Sequence, residues 1–176
     1  MHTDWVLIAR LARELEDRVR GRRVEDAGLL PDGRAALILR RGSERCVLAI
    51  DLFSSPPLVT LEDGELGILE EPGFARALAR SLKGMTLTGV ASRRSDRLLR
   101  FRFSARSRFG VGEELELYVE LVPRFGNIVL VKGESVVAAR KEFSPAENPR
   151  RPIAPGLPYA LPPLPAQPRT IEAPPE

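Results

Sequence analysis

At 176 residues the chain has room for one hydrophobic core of ordinary size and a tail, and its 43% apolar and 29% charged content is that of a solvated globular domain. The formal net charge of +3 leans weakly toward anionic partners, so the placement of charge matters more than its sum. One cysteine, Cys46, excludes an internal disulfide, and one histidine, His2, leaves no set for a Cys/His metal site or a Ser-His or Cys-His nucleophile.

The N-terminal stretch reads as an amphipathic helix. Trp5, Ile8, Ala12, Leu15 and Val19 recur at steps of three and four, Thr3 or Asp4 can cap the start, and Gly21 can end it. Arg10, Arg13, Arg18 and Arg20 alternate with Glu14, Glu16 and Asp17 off that stripe, the pattern of a solvated face with local ion pairs. The charges interrupt any signal-peptide core, and no span approaches the roughly 20 apolar residues of a membrane helix. A cytoplasmic protein without membrane contact is the expectation.

Strands follow at Val24 to Leu30, Ala35 to Leu39 and Cys46 to Leu52. They are joined at Pro31-Asp32-Gly33 and across Arg41-Gly42-Ser43-Glu44. Ser54-Ser55-Pro56-Pro57 breaks the meander, and Glu62, Asp63 and Glu65 read as a solvated acidic loop. A second helix is predicted from Pro72, with Phe74, Leu78 and Leu82 buried and Gly84 at its end. Strands resume at Met85 to Val90. Leu99, Phe101 and Phe103 alternate with Arg100 and Arg102, and Leu115, Leu117, Val119 and Leu121 with Glu116, Tyr118 and Glu120. Ile128 to Val131 and Val136 to Ala139 close the set. The globular region is expected over residues 1–144, followed by a proline-rich extended tail or linker over 145–176 that can pack through Ile153, Leu157 and Tyr159. The order of elements predicts an α+β fold: an antiparallel β-sandwich or flattened barrel with two flanking helices.

Walker-type and GxGxxG glycine loops are absent from the sequence. The concentrated basic feature is Arg93, Arg94 and Arg97 at a hairpin tip, continuing through Arg100, Arg102, Arg106 and Arg108, with Asp96 the only acid among them. Arg100 and Arg102 are expected to form a cross-strand charge ladder with Glu116 and Glu120. Guanidinium forks on a turn bind phosphate or a base edge bidentately, and Asp96 can orient the Arg97 guanidinium for that task. A structural ion pair closing the turn is the alternative. In Leu121-Val122-Pro123-Arg124-Phe125-Gly126-Asn127, Arg124 and Asn127 are polar residues on an abrupt connection, and Asn127 can equally bond its own backbone.

Five segments in order carry a resemblance: Gly21-Arg22-Arg23-Val24, FARALARSLKG over 74–84, the pair Asp96-Arg97, ELVPRFGNIVLV over 120–131, and PGLPYALPP over 155–163. Together they resemble the N-terminal domain of the NFACT family, which includes RqcH-like ribosome quality-control factors and proteins labelled fibronectin-binding protein A. The resemblance implies a fold like the N-terminal domain of formamidopyrimidine DNA glycosylases, without their chemistry. It implies no cofactor and no catalysis by the domain, and binding of tRNA, in bacteria alanyl-tRNA; a monomer that folds without metal or disulfide is expected from Cys46 standing alone in an apolar strand. The setting it implies is the large ribosomal subunit with stalled peptidyl-tRNA, where untemplated alanine tailing occurs. Asp96 and Arg97 fall on the family's Asp-Arg pair, and Arg124 and Asn127 on an Arg and Asn of its pattern. Pro123 stands where the family has Gly, Gly126 where it has Ser, and Ala79 where it has Arg. An adhesin for an extracellular-matrix protein, or a domain that only positions other modules, are the alternatives in function.

Overall fold

A computed structural model describes residues 5–64, 66–69, 71–106, 110 and 112–164. Helix α1 (Trp5–Val19) buries Ile8, Ala12, Leu15 and Val19 and leaves Trp5 at the edge of its stripe, 40% exposed. Gly21, at φ 80, supplies the left-handed step that turns the chain out of the helix. The proposed caps Thr3 and Asp4 lie outside the described residues, as do Glu65, Arg108 and residues 165–176.

Nine strands are present among the described residues: β1 (Arg23–Leu29), β2 (Ala35–Arg41), β3 (Glu44–Asp51), β4 (Leu58–Glu62), β5 (Thr86–Ser92), β6 (Leu98–Arg106), β7 (Gly112–Glu120), β8 (Asn127–Lys132) and β9 (Ser135–Ala139). Helix α2 (Phe74–Leu82) separates β4 from β5. Gly73 is its N-cap, so Pro72 precedes the cap instead of opening the first turn. Strand β4 is absent from the sequence reading: Glu62 ends a strand, where its carboxylate meets the Arg34 guanidinium and accepts from the Thr60 hydroxyl at 2.9 Å. The bond to Arg34 holds the Glu62 carboxyl below its ordinary value.

All neighbouring strands run antiparallel, in the order β4-β3-β2-β1-β5-β6-β7-β8-β9. A sandwich or flattened barrel is expected from the sequence, and its strands are joined in one hydrogen-bonded antiparallel sheet. The reason is a narrow seam: Arg23 pairs with Thr86, and the Gly21, Val24, Gly84 and Leu87 N–H groups donate across it at 2.7–2.8 Å. The two halves share one core, with Leu37, Leu39, Leu48 and Ile50 from one and Phe101, Phe103, Leu117 and Leu130 from the other in a single cluster. Leu52, just past β3, reaches the Gly126 turn between β7 and β8.

Both outer faces are also covered. Leu66 and Ile68 pack on Ala36, Ile38, Val47 and Ala49 outside one half. Outside the other, the proline-rich segment lies on Val129, Val131, Val136 and Ala139 through Ile153, which is 2% exposed. Tyr159 packs on Tyr118 with ring centroids 4.5 Å apart. The segment is extended, as its composition requires, yet it is anchored well past residue 144. Ile153 exchanges backbone hydrogen bonds with Phe143, and Tyr159 donates its N–H to the Glu134 carbonyl at 2.8 Å. A packed surface with satisfied polar groups, more than proline content, decides where the domain ends.

The expected ladder forms only in part. Arg100 approaches Glu116 at 3.6 Å, and Arg102 stands opposite Glu116 in the register. Glu120 instead turns under the docked segment, where Arg151 binds both its oxygens and the Tyr159 hydroxyl donates at 3.0 Å. Glu120 is 3% exposed, so a charged partner and a phenol there satisfy a carboxylate that water cannot reach. Burial, then the Glu120 charge, pushes the Tyr159 phenol far above its ordinary range.

Candidate nucleic-acid interface

Two connections lie side by side at one end of the sheet. The β5–β6 hairpin turns at Arg93 to Arg97, and the β7–β8 turn runs from Leu121 to Gly126. The Leu121 N–H donates to the Arg97 carbonyl at 2.8 Å, which ties the first to the second.

In the hairpin, Ser95 adopts φ 60 and the Asp96 N–H donates to the Arg93 carbonyl at 3.2 Å. Asp96 is 4% exposed, with Oδ1 accepting from the Arg97 backbone N–H at 2.7 Å and Oδ2 facing Arg93 Nη1 at 3.4 Å. The expectation that Asp96 orients the Arg97 guanidinium is therefore corrected. Its carboxylate points inward and holds the backbone of the turn, because a buried carboxylate takes the nearest N–H donors. Arg93 is also engaged, donating to the Pro162 carbonyl of the docked segment at 2.8 Å. The guanidinium groups of Arg94 and Arg97 have no hydrogen-bonding or ion-pair partner among the described residues, and Arg94 is exposed. The side chain of Arg106 lies outside what is described.

In the β7–β8 turn the Phe125 N–H donates to the Val122 carbonyl at 3.1 Å. Arg124 is exposed at φ 65, a conformation a bulky residue adopts at a cost. Asn127 is 2% exposed: its Nδ2 donates to the Lys141 carbonyl, and its Oδ1 accepts from the Lys141 and Ile128 N–H groups, all at 2.9 Å. The alternative that Asn127 bonds backbone describes its side chain, and it ties the chain just past β9 to the turn. Space at Gly126 is tight: a β-carbon there would sit 3.0 Å from the Glu120 carbonyl oxygen and 3.1 Å from the Leu52 side chain, so its neighbours would have to give by a few tenths of an ångström.

Two aromatic residues outside the sequence expectations are also exposed. Phe125 is 78% exposed and Phe53, which follows Leu52, is 66% exposed. Arg140 lies over the Phe53 ring, 6.0 Å from its centroid. The signal was an aromatic residue inside a turn sequence, Pro123-Arg124-Phe125-Gly126, where solvent exposure wastes apolar area. A free guanidinium beside an exposed ring in one turn, as Arg124 and Phe125 are, suits an unpaired stretch of nucleic acid.

The model of NFACT N-terminal and middle domains matches residues 4–175. The chain belongs to the NFACT family. A curated relative of this NFACT chain, the "Rqc2 homolog RqcH" of Bacillus subtilis, is 30% identical over 96 residues, which cover 53% of the chain and 17% of that protein. The match spans about a sixth of the relative's length. Among solved structures, the N-terminal region of the fibronectin/fibrinogen-binding protein from Streptococcus suis superposes with a TM-score of 0.82 at 24% identity, covering 92% of this chain and 62% of that one. The N-terminal domain of fibronectin-binding protein PavA from Streptococcus pneumoniae gives 0.81 at 19%, covering 91% and 62%. These likenesses establish the fold of the NFACT chain. Among the described residues no cluster of His, Cys, Asp and Glu suited to a metal ion is present, and no helix is long and apolar enough to cross a membrane.

Proposed function

We propose that this NFACT chain is the RNA-binding part of a ribosome-associated quality-control factor. It holds tRNA on an obstructed large ribosomal subunit and supports untemplated C-terminal alanine tailing of the stalled chain. The observation that carries the reading is the end of the sheet where Arg94, Arg97 and Arg124 present free guanidinium groups beside the exposed Phe125 ring. In this reading the domain works in the cytoplasm as a monomer, without catalysis or cofactor. Its architecture is that of the N-terminal domain of formamidopyrimidine DNA glycosylases. Asp96 and Asn127 act through the shapes of their turns, and Arg94, Arg97 and Arg124 touch the RNA.

The test is a titration of deacylated and alanyl-tRNA with the wild-type chain, Arg97→Ala and Arg124→Ala, each at two salt concentrations. Weakening by about 1–3 kcal/mol with unchanged melting is expected for a base contact, and a flatter salt dependence for a phosphate contact. Equal binding by all three proteins would sink the reading. The solved neighbours named for fibronectin supply a second arm: the same proteins are passed over immobilised fibronectin. Retention there that Arg97→Ala leaves unchanged, without tRNA binding, would favour the adhesin reading.

A further inference from the structure

The basic residues of α1 and α2 differ in what faces them. On α1 and the turn that ends it, Arg10 pairs with Glu14 at 3.0 Å and Arg20 with Glu16 at 3.3 Å, so acids of the same helix face these arginines. On α2 and its C-cap, Arg76, Arg80 and Lys83 are all exposed, and Phe74–Leu82 contains no acid. At about 100° per residue the three project within about 60° of arc, and four residues advance about 6 Å along the axis. They form one ridge. At its C-terminal end the ridge enters a cleft of about 420 Å³ that Lys83 shares with Arg23 and Arg40.

Among the described residues, the acids near this ridge are Asp26, Glu25 and Glu71. Asp26 caps the Ala27 N–H at 2.9 Å and lies 3.8 Å from Lys83 Nζ. Glu25, on the cleft wall, lies 3.6 Å from Arg45 Nε. Glu71 precedes the helix and is exposed. The apolar side of α2 is spent on the core through Ala75, Leu78, Ala79 and Leu82, so it has nothing to insert into a lipid surface. A row of flexible cations with no apolar or aromatic residue among them suits a sugar-phosphate backbone of regular spacing.

We infer that the α2 ridge and the adjoining cleft bind the phosphate backbone of double-helical RNA, as a second surface apart from the hairpin end. The separation follows from the sheet. Arg23 pairs with Thr86 at the start of β5, and the hairpin tip begins after Ser92, about 20 Å away at the usual strand rise. One domain can therefore hold an unpaired RNA stretch at one end and a duplex at the other. The inference stands on charge and geometry alone and is independent of the tRNA reading.

The experiment uses the full chain and two probes: a blunt 16-base-pair RNA duplex of mixed sequence, and vesicles of phosphatidylcholine with phosphatidylserine. The triple variant R76Q/R80Q/K83Q is compared with R10Q/R13Q/R20Q, which removes three charges from α1 and the turn after it. Both take the formal charge from +3 to zero. Wild type is expected to bind the duplex with a steep salt dependence. The α2 variant should lose about tenfold or more in affinity and about 3 in the log–log salt slope, with an unchanged melting temperature. The α1 variant and Arg97→Ala should keep most of the binding. Equal losses in the α1 and α2 variants, an unchanged α2 variant, or a dominant loss in Arg97→Ala would each overturn the inference. So would binding to vesicles with none to the duplex.

Discussion

The β5–β6 hairpin and the β7–β8 turn share an end of the sheet, and each holds one buried polar side chain and one non-glycine residue at positive φ. They divide these parts differently. In the hairpin, Asp96 satisfies its own turn, with contacts no further than Arg93 and Arg97. In the second turn, Asn127 reaches across to Lys141 and holds the chain just past β9. The first is a local device that displays arginines, and the second a long-range clamp that also displays one. A basic loop can thus be tied down by its neighbours in sequence or by distant backbone, and the two arrangements fail differently when the polar residue is removed.

The strongest way to break this contrast is Asn127→Ala. It leaves two N–H groups and one carbonyl without their partner, and should cost about 3 kcal/mol in a urea melt. A loss below about 1 kcal/mol would mean that the clamp is replaceable by water. Asp96→Ala is expected to cost less, about 2 kcal/mol, since one backbone N–H and one weak contact to Arg93 are affected. Asp96→Asn should recover part of that through its remaining carbonyl oxygen, and a variant as unstable as alanine would assign the effect to the charge. Arg97→Ala should fall near zero in stability, within about 0.5 kcal/mol, while tRNA affinity drops about tenfold in a fluorescence titration. The smallest change carries the opposite sign. Arg124→Gly removes a side chain from positive φ and should raise stability by about 0.5–1 kcal/mol while weakening tRNA binding. If it destabilised the fold, the Arg124 side chain would be holding the turn.

Strand positions were readable wherever one face of a strand meets the core and the other meets charge. Leu99, Phe101 and Phe103 against Arg100 and Arg102 are the clear instance. In β2 and β8 the alternation disappears, because Ala36, Ile38, Val129 and Val131 are buried on the outer face as well. The apolar runs announce a cover, but its identity depends on a distant segment: the short stretch around Ile68, or the chain from Ile153 to Tyr159. Glu120 was misassigned for the same reason. Its local pattern is that of a solvent-facing strand residue, and only the return of Arg151 buries it. At the candidate site, the arginines could be located from composition and turn signals. The inward direction of Asp96 could not, since it depends on Ser95 adopting φ 60.

The strand order carries a consequence for how the chain folds. Within β4-β3-β2-β1, and again within β5 to β9, each strand pairs with its neighbour in sequence, so most pairings close short loops. Such local contacts speed the folding of a β protein. The exception is the seam between β1 and β5, and neither half can bury its inner face until it closes. Docking of the halves is then the step expected to limit the rate, with the proline-rich segment expected to add its contacts afterwards. Stopped-flow refolding should show Val24→Ala and Leu87→Ala slowing folding, and Tyr159→Ala acting mainly on unfolding. The reverse pattern would make the proline-rich segment part of the nucleus, and the domain would have to wait for nearly its whole length before it could begin to fold.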